Sequence, residues 1–292
     1  MNKNSLFLSI DPEVYGRIYE DLYEKNKDEL LLHYQNIGEL EGRIASAYSR
    51  PKGLLSVIST GESVLEIGPF TNPLTQGEGV KYFDVLDRNA LVKRALEIDR
   101  PIENIPEIDY VSQNGDLSII NNEKFDIVVS SHCIEHQTDL INHFNQVSKI
   151  LKPGGCYLLV VPDKRYCFDH FLSESTIADV VQAHVEKRTS HSLASLIEHR
   201  LLTTHNDCVR HWEGDHGQTH VIDDSGAMNR VLQEYETANG AYIDVHAWQF
   251  TPRSFLNLIS QLHNSDLITL LPQHVFGTPR YGLEFCAVLC NA

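Results

Sequence analysis

The sequence has little basic character: 40 acidic residues stand against 24 basic ones, and the formal net charge is -16. A field of this sign repels phosphate backbones and anionic lipid head groups, so nucleic acid is not an expected partner. No apolar run approaches the roughly 20 residues that span a bilayer, so no membrane insertion is predicted. The opening stretch MNKNSLFLSIDPEVYG lacks a long apolar core. No secretory signal is therefore predicted, and the expected location is cytoplasmic.

The sequence also lacks a C-x-x-C pair, the spacing typical of zinc sites and redox centres. Its six cysteines are scattered along the chain, at Cys133, Cys156, Cys167, Cys208, Cys286 and Cys290. Most of them lie in or beside apolar runs, which is typical of buried free thiols. We therefore expect reduced cysteines, in agreement with the cytoplasm.

A third absence is the glycine-rich dinucleotide pattern G-x-G-x-x-G. Residues 63–74 read SVLEIGPFTNPL, in which a proline and a phenylalanine follow Gly68 where further glycines would stand. Glu66 lies near the end of a predicted buried strand, and Gly68 allows a tight turn of the backbone against a ligand. A loop with one glycine suits a cofactor without a pyrophosphate and argues against a nicotinamide dinucleotide.

From residue 63 onward the chain shows the alternation of strands and helices typical of a doubly wound sheet. The predicted strands are residues 63–67, 81–86, 108–111, 125–130, 156–161, 267–275 and 283–289. Helices are predicted at 91–98 and 140–151, and the stretch LKPGG ends the second one. Thr251 is a good N-cap for a helix that begins at Pro252 and ends near residue 263.

The chain is expected to divide into four segments. They are an N-terminal helical appendage (1–50), a cofactor-binding core (51–165), a helical insertion (166–242) and a C-terminal completion of the core sheet (243–292). The insertion holds helix-like stretches at 175–188, 192–205 and 225–239, and regular structure resumes with YIDVHAWQF. Since such connections normally take about 2–6 residues, we interpret the insertion as a substrate lid over the ligand crevice.

Acidic residues follow several of the predicted strands. KYFDVLD places Asp84 and Asp87 about 20 residues after the first strand, where a carboxylate holds a ribose diol. NGDL places Asp116 after the third strand, and FDIVVSSHCIEH ends the fourth in polar residues. For a single aspartate at a strand end, turn or capping chemistry is the favoured explanation. The ordered set, however, favours a nucleoside cofactor.

In this order the motifs resemble those of the class I S-adenosylmethionine-dependent methyltransferases. The resemblance implies an α/β fold, a doubly wound Rossmann-like sheet with a C-terminal antiparallel hairpin strand, and S-adenosyl-L-methionine as cofactor. By position it implies three sets of cofactor contacts: Glu66, Gly68 and Pro69 in the first loop; Asp84 or Asp87 at the ribose with Asp116 and Leu117 at the adenine; and Ser131 and His132 beside the methionyl group.

Two further resemblances concern the acceptor. VVPDKRYCFDHF, together with HCIEHQTDL and YIDVHAWQFTPRSF, is similar to a subgroup of these methyltransferases common in bacterial surface-glycan gene clusters. The N-terminal stretch DPEVYGRIYEDLYEKNKDELLLHYQNIGELEGR resembles a short repeat attached to glycan-synthesis enzymes. Both imply, by analogy, O-methylation of a sugar hydroxyl in a nucleotide-activated sugar or a surface polysaccharide.

A sugar hydroxyl is a poor nucleophile, so a general base or a metal must help to remove its proton. Nine of the 15 histidines fall between residues 170 and 246. The general base is predicted among His246, His211 and His136. A divalent metal is the alternative, with ligands drawn from His211, Asp215, His216, His220, Asp244 and His246. Polar loop histidines that only satisfy backbone groups are a third interpretation, and no metal is assigned.

The acceptor itself is expected beside the residues that follow the fifth strand, namely Lys164, Arg165, Tyr166, Asp169 and His170. Lys164 and Arg165 can meet the diphosphate of a nucleotide sugar, or form surface salt bridges instead. Two other functions stay open at this point: an NAD-dependent sugar-nucleotide oxidoreductase, and a non-catalytic scaffold in a glycan assembly complex. The predicted partner is a small-molecule or glycan acceptor, and a homo-oligomer is compatible with the sequence.

Overall fold

The computed structural model describes residues 8–219 and 226–291. Its strands are β1 (Val64–Ile67), β2 (Val80–Asp84), β3 (Tyr110–Val111), β4 (Phe125–Ser131), β5 (Leu151–Pro162), β6 (Leu271–Val275) and β7 (Glu284–Cys290). In these ranges they form a seven-stranded sheet in the order β3-β2-β1-β4-β5-β7-β6. Strands β1 to β5 pair in parallel, and β7 runs antiparallel to β5 and β6. The predicted α/β fold class, with its antiparallel C-terminal strand pair, is confirmed.

Helices surround this sheet. They are α1 (Pro12–Ile18), α2 (Lys27–His33), α3 (Pro51–Leu55), α4 (Arg88–Glu97), α5 (Leu140–Ile150), α6 (Ile177–Val185), α7 (Leu193–Leu201), α8 (Cys208–Trp212), α9 (Ala227–Ala238) and α10 (Pro252–Asn264). Short 3-10 turns cover Glu20–Leu22, Ala47–Ser49, Leu117–Ile119, Ile134–His136 and Lys164–Tyr166, and a π-helical turn covers Tyr34–Gly38. Thr251 caps α10 as predicted, since its side chain accepts a hydrogen bond from the Ser254 N–H. Among the helices of the two described ranges, none has the length and hydropathy of a transmembrane segment.

The strand order creates a crevice at the carboxyl ends of β1 and β4. From β1 the chain builds outward through β2 and β3, and then returns to pair β4 with the other side of β1. All four residues of β1 are buried, as expected for a central parallel strand covered on both faces. Ligands of such sheets bind outside the carboxyl ends of the strands at this switch point. Gly68 and the turn Ile134–His136 lie there.

The N-terminal helices share the core of the sheet. Tyr15, Leu22 and Tyr34 are at most 1% exposed. They belong to the same hydrophobic cluster as Leu65 of β1 and Val128 of β4. Burial of such large apolar side chains stabilises the fold by about 2 kcal/mol each. The N-terminal appendage predicted from the sequence is therefore packed onto the core.

Some predicted elements differ from the structure in detail. Residues 242–249, where regular structure was expected to resume, form neither helix nor strand. Instead the N–H groups of Ala247 and Trp248 donate hydrogen bonds to the Glu135 carbonyl oxygen, which holds this segment against the turn after β4. Helix α8 was not predicted. The predicted start of the helix at 225–239 lies outside the described residues.

The expectation of reduced cysteines is wrong for one pair. Cys156 and Cys290 form a disulfide, with 4.1 Å between their Cα atoms. The other four cysteines are free. Cys156 and Cys290 face each other where β5 pairs with β7, although they are 134 positions apart in the sequence. Local spacing cannot reveal such a pair, because only the tertiary fold brings the two strands together.

Removing this disulfide should destabilise the protein. The Cys156→Ser/Cys290→Ser double variant is expected to have a free energy of unfolding about 2–5 kcal/mol below that of the oxidised wild type, because the cross-link restricts the unfolded chain. Urea titrations with and without dithiothreitol measure the difference. Cys208→Ser replaces a free cysteine and is the control. Equal unfolding midpoints for the oxidised wild type and the double variant would contradict the prediction.

Candidate active site

A cavity of about 390 Å³ opens at the carboxyl ends of β1, β2 and β4. Its lining includes five of the residues predicted for the site: Gly68, Asp84, Leu117, His132 and His136. This volume is in the range of pockets that bind small molecules and cofactors. The fold thus brings together residues that follow four different strands of the sequence.

Gly68 turns the chain at the end of β1. Its φ is 70°, a left-handed conformation that costs a residue with a side chain free energy. A Cβ built at this position would lie 4.0 Å from the Cys133 Sγ, and Cys133 also lines the cavity. A larger residue at position 68 would therefore strain the turn and begin to fill the cavity.

Glu66 stabilises the loop after β1 through hydrogen bonds, and it is not among the described residues that line the cavity. Its Oε1 accepts a hydrogen bond from the Leu74 N–H at 2.7 Å. Its Oε2 accepts from the Thr75 N–H at 2.8 Å and from the Thr75 hydroxyl at 2.6 Å. Burial raises the pKa of Glu66, and these hydrogen bonds oppose the rise. The contact with a cofactor implied for Glu66 is thus indirect, through the loop that it fixes.

Asp84 presents a buried carboxylate to the cavity. It ends β2 and is 7% exposed. The Leu86 N–H donates a hydrogen bond to its Oδ1 at 3.1 Å. Burial raises the pKa of Asp84 to about 6, against the effect of backbone hydrogen bonds from Leu86 and Val85. A carboxylate in this place can accept hydrogen bonds from the hydroxyls of a ribose.

Four other predicted cofactor residues do not line the cavity in the part of the chain that the structure describes. Asp87 caps α4 by accepting from the Ala90 N–H at 2.8 Å. Asp116 caps the turn Leu117–Ile119. Both aspartates therefore have the capping role that the sequence left as an alternative. The remaining two are Pro69, buried in the loop after β1, and Ser131, partly buried at the end of β4.

The lining fits an adenosyl cofactor that carries no pyrophosphate. Phe83 and Leu117 provide apolar surface, and Asp84 provides an acceptor for hydroxyl groups. The described lining contains no lysine or arginine, the side chains that commonly neutralise phosphates. This combination of lining side chains suits the predicted cofactor, S-adenosyl-L-methionine.

Beside the cavity, imidazoles converge on the buried carboxylate of Glu135, which is 0% exposed. Glu135 Oε1 lies 3.9 Å from the Nε2 atoms of both His136 and His246, and 3.8 Å from His132 Nδ1. Within residues 8–219 and 226–291, neither carboxylate oxygen has a hydrogen-bond partner. We refer to Glu135, His136 and His246 as the Glu135 group. It adjoins the cavity because His136 belongs to both.

Two aspartates contact the outer nitrogens of this group. His246 Nδ1 is hydrogen-bonded to Asp169 Oδ2 at 2.6 Å, and Asp169 is 1% exposed. His136 Nδ1 lies 3.1 Å from Asp244 Oδ1. Burial is the largest single influence on the pKa of His136 and lowers it, but the contact with Asp244 and the charge of Glu135 together raise this pKa above its ordinary value; the contact with His136 lowers the pKa of Asp244. Both histidines are thus oriented with Nε2 toward Glu135.

The arginine predicted to meet a diphosphate is already paired. Arg165 Nη2 lies 2.7 Å from Asp163 Oδ2, and its Nη1 lies 3.2 Å from Glu39 Oε1. Asp163 and Glu39 are 0% and 3% exposed. Because both charged partners are buried, this guanidinium is held in the protein and does not line the cavity among the described residues.

Lys164 and Tyr166 also make structural contacts. Lys164 donates a hydrogen bond from Nζ to the His170 carbonyl oxygen at 2.8 Å. The ring of Tyr166 stacks on Trp212 with 3.8 Å between centroids. Of the residues predicted beside the acceptor, Asp169 is the one that the structure joins to the Glu135 group.

A second cluster consists of His170, His211 and His216, which lie outside the described lining of the cavity. His211 Nδ1 is 3.1 Å from His216 Nδ1, and the rings of His170 and His216 stack with 3.7 Å between centroids. Burial lowers the pKa of His211 to about 4. Asp215 instead pairs with Arg210 at 2.7 Å. The structure thus separates His211 from the other two candidate bases, and His220 lies outside the described residues.

The sequence prediction missed Glu135, although this glutamate directly precedes His136 in HCIEH. Its only signal is an acidic residue in a short turn after a buried strand. Gln113, Asn114 and Cys133 also line the cavity without having been predicted. Residue type alone does not mark such positions, because the fold decides which loop side chains face the crevice.

Comparison with protein-family models matches residues 38–221 to a family described as a methyltransferase domain. The match covers more than half of the chain, including β1 to β5 and most of the cavity. Among curated proteins, none matches the chain.

Several solved structures resemble the chain. The CurJ carbon methyltransferase has 12% identity and a TM-score of 0.38, over 82% of this chain and 52% of that one. The glycopeptide N-methyltransferase MtfA, complexed with S-adenosyl-L-methionine, has 20% identity and a TM-score of 0.30, over 40% and 55%. The CcbJ methyltransferase from Streptomyces caelestis has 17% identity and a TM-score of 0.30, over 41% and 54%. The chain spans about half the length of these structures.

Proposed function

Because this chain belongs to the methyltransferase domain family, we propose that it transfers the methyl group of S-adenosyl-L-methionine to a hydroxyl group of a sugar. The family favours methyl transfer over the NAD-dependent alternative that the sequence left open. It leaves the acceptor undefined, so the acceptor has to be argued from the chemistry of the site.

The cofactor is assigned to the cavity at the ends of β1 and β2. Asp84 would accept hydrogen bonds from the ribose hydroxyls, and Phe83 and Leu117 would contact the adenine ring. Gly68 leaves room beside Cys133 for the amino-acid end. When bound, S-adenosylmethionine supplies an electrophilic methyl group on a sulfonium.

The observation that supports an oxygen atom as the methyl acceptor is the position of the Glu135 group beside this cavity. Methylation of a hydroxyl forms a carbon–oxygen bond and breaks a carbon–sulfur bond, whose electron pair goes to sulfur, while the hydroxyl loses its proton. Removal of that proton needs a base or a Lewis acid. A neutral amine needs neither, because its lone pair is free to attack. Imidazoles that are held by aspartates and surround a buried carboxylate therefore favour a hydroxyl.

Two observations favour a sugar among hydroxyl compounds: the polar side chains at and beside the cavity, and the glycan-related stretches of the sequence. Asp244, whose side chain is 54% exposed, and the lining residues Gln137 and Thr138 offer acceptor oxygens, which match the many hydroxyl donors of a sugar. The acceptor is then a nucleotide-activated sugar or a surface polysaccharide in bacterial glycan biosynthesis. Residues 166–242 would act as its lid, and the boundaries of the four segments stay a prediction.

We also retain the cytoplasm as the proposed location, where nucleotide sugars would be methylated before assembly. The disulfide between Cys156 and Cys290 is of a kind that persists in oxidising compartments. Whether these two cysteines are reduced or oxidised in protein taken directly from cells therefore tests this location. A homo-oligomer likewise stays a prediction.

Incubation with methyl-labelled S-adenosylmethionine and a panel of nucleotide sugars and free sugars tests the proposed function. We expect label in a sugar product whose mass has grown by one methylene unit. His246→Gln should lower the rate about 100-fold or more, because it removes a group that assists proton removal. Its affinity for S-adenosylhomocysteine should be unchanged, since His246 does not line the described cavity.

His184→Gln is the matched control for this variant. His184 also pairs with an aspartate, Asp139, at 2.9 Å, but it lies on α6 away from the cavity lining. This variant should methylate the same sugar at the wild-type rate. Label found only in amines or peptides, or in no sugar of the panel, would contradict the proposed function. Any sugar turnover excludes the scaffold alternative.

A further inference from the structure

We propose that the Glu135 group is a binding site for a divalent transition-metal ion, with Glu135, His136 and His246 as its protein ligands. The ion would hold oxygen atoms of the acceptor next to the cofactor cavity. That role rests on the proposed function, whereas binding of the ion can be tested without cofactor or acceptor.

The first support is the unpartnered carboxylate of Glu135. Both of its oxygens are buried, and neither has a hydrogen-bond partner among the described residues. An ionised carboxylate in such a place costs several kcal/mol unless a positive charge or hydrogen-bond donors compensate it. Imidazole nitrogens of three histidines lie 3.8 and 3.9 Å from Glu135 Oε1, beyond hydrogen-bonding distance. A cation between these groups would compensate the charge.

The second support is the direction of the imidazole lone pairs. His246 donates its Nδ1–H to Asp169 Oδ2 at 2.6 Å, so in a neutral ring the lone pair is on Nε2, which faces Glu135. His136 Nδ1 lies 3.1 Å from Asp244 Oδ1, a close contact without hydrogen-bond geometry, and its Nε2 faces the Glu135 carboxylate. When both rings are neutral, these lone pairs and the carboxylate repel one another, and a cation between them would attract all three groups. Metal-ligating histidines commonly bind through one nitrogen while the other is held by a carboxylate.

The third support is the geometry of the donor atoms. One donor atom from each of the three residues lies within 4.8 Å of the others. Two ligands at about 2.1 Å from an ion are about 3.4 Å apart at the tetrahedral angle. The 3.9 Å contacts of Glu135 thus require an inward shift of about half an ångström. Two imidazoles and one carboxylate suit zinc, iron, manganese or cobalt, and three protein ligands leave positions open for acceptor oxygens.

The other histidine cluster gives weaker support for a metal site. His170, His211 and His216 also have donor atoms within 4.8 Å of one another. They include no carboxylate, and they do not line the described cavity. His211 Nδ1 already has His216 Nδ1 at 3.1 Å, a distance at which one ring can donate to the other. No unpartnered buried charge in this cluster calls for a cation, so it serves as an internal comparison.

Cobalt(II) binding to the full chain tests the site, because cobalt absorbs visible light when imidazole and carboxylate ligands hold it. Metal-free protein is titrated with Co²⁺ in the absence of cofactor and sugar. We expect one tight site in the wild type, and an affinity at least 10-fold lower in Glu135→Gln and in His136→Gln. The double variant His211→Gln/His216→Gln should keep the wild-type affinity and spectrum. Circular dichroism and thermal unfolding establish which variants fold.

Two results would overturn the proposal: a wild type that binds no Co²⁺ at micromolar concentrations, or a site that persists in Glu135→Gln and disappears in His211→Gln/His216→Gln. If the Glu135 variants fail to fold, the titrations of the wild type, His136→Gln and His211→Gln/His216→Gln decide. Chelator-treated wild type that methylates a sugar at the full rate would contradict the role of the ion in holding the acceptor and leave the proposed function standing. Tight Co²⁺ binding lost in Glu135→Gln, without methylation of any sugar, would support the site and contradict the proposed function.

Discussion

Replacing Arg165 by methionine is expected to lower the free energy of unfolding by about 3–5 kcal/mol. The guanidinium lies between two carboxylates, at 2.7 Å from Asp163 Oδ2 and at 3.2 Å from Glu39 Oε1. Asp163 is 0% exposed and Glu39 is 3% exposed. Methionine keeps much of the volume but leaves Asp163 with one neutral donor side chain, the hydroxyl of Thr278. Urea unfolding followed by circular dichroism measures the loss.

Arg253→Met is the matched control for this prediction. Arg253 pairs with the same glutamate, with 2.9 Å between Nε and Glu39 Oε2, but its side chain is 48% exposed. Solvent screens such a pair, so the expected loss is about 1 kcal/mol or less. Equal losses in the two variants would contradict the buried network. An Arg165→Met protein that is as stable as the wild type but needs more nucleotide sugar would restore the diphosphate role predicted from the sequence.

Arg165 illustrates where prediction from the sequence ended. The strand segments and the positions of Gly68 and Asp84 could be predicted, because buried strands are apolar runs and ligands of a parallel sheet bind beyond their carboxyl ends. Whether a polar side chain near that edge faces the ligand or the protein depends on contacts with distant residues. Arg165 is 126 positions from Glu39, its partner from the N-terminal segment. No local pattern encodes that contact.

The same limit applies to carboxylates. Glu66, Asp87 and Asp116 all stand at strand ends where a cofactor contact was predicted. In the structure Glu66 holds the backbone of residues 74 and 75, while Asp87 and Asp116 cap helical turns. Asp84 differs because its carboxylate is buried and also borders the cavity. Burial and pocket lining are tertiary properties, so the sequence could place the set of acids but could not rank its members.

Asp84→Asn should therefore stabilise the protein while it weakens cofactor binding. Burial raises the pKa of Asp84 to about 6 in the folded state, against about 3.9 for an unfolded aspartate. The ionised carboxylate then costs up to about 3 kcal/mol of folding stability above pH 6. Below about pH 4 the group is protonated in both states and the cost disappears. The variant's advantage should thus be full at neutral pH and fade between pH 6 and pH 4, as urea titrations across this range would measure.

Binding of S-adenosylhomocysteine should change in the opposite direction. Loss of charge-assisted hydrogen bonds to the ribose costs about 1.5–3 kcal/mol, so calorimetry should show an affinity roughly 10- to 100-fold lower in Asp84→Asn. Wild-type affinity should also fall as the pH drops through 6, where the carboxylate gains its proton, and the variant should lack this dependence.

Asp87→Asn is the control that separates the two acids of KYFDVLD. Asparagine caps a helix about as well as aspartate, so the stability should change little, and the cofactor affinity should be retained because Asp87 does not line the described cavity. If Asp87→Asn weakened binding and Asp84→Asn did not, the ribose would belong to Asp87. The raised pKa of Asp84 would then reflect burial without a function. If Asp84→Asn both raises the stability and lowers the cofactor affinity, the buried charge of Asp84 serves ligand binding. A residue that served only folding would not destabilise the folded state at neutral pH.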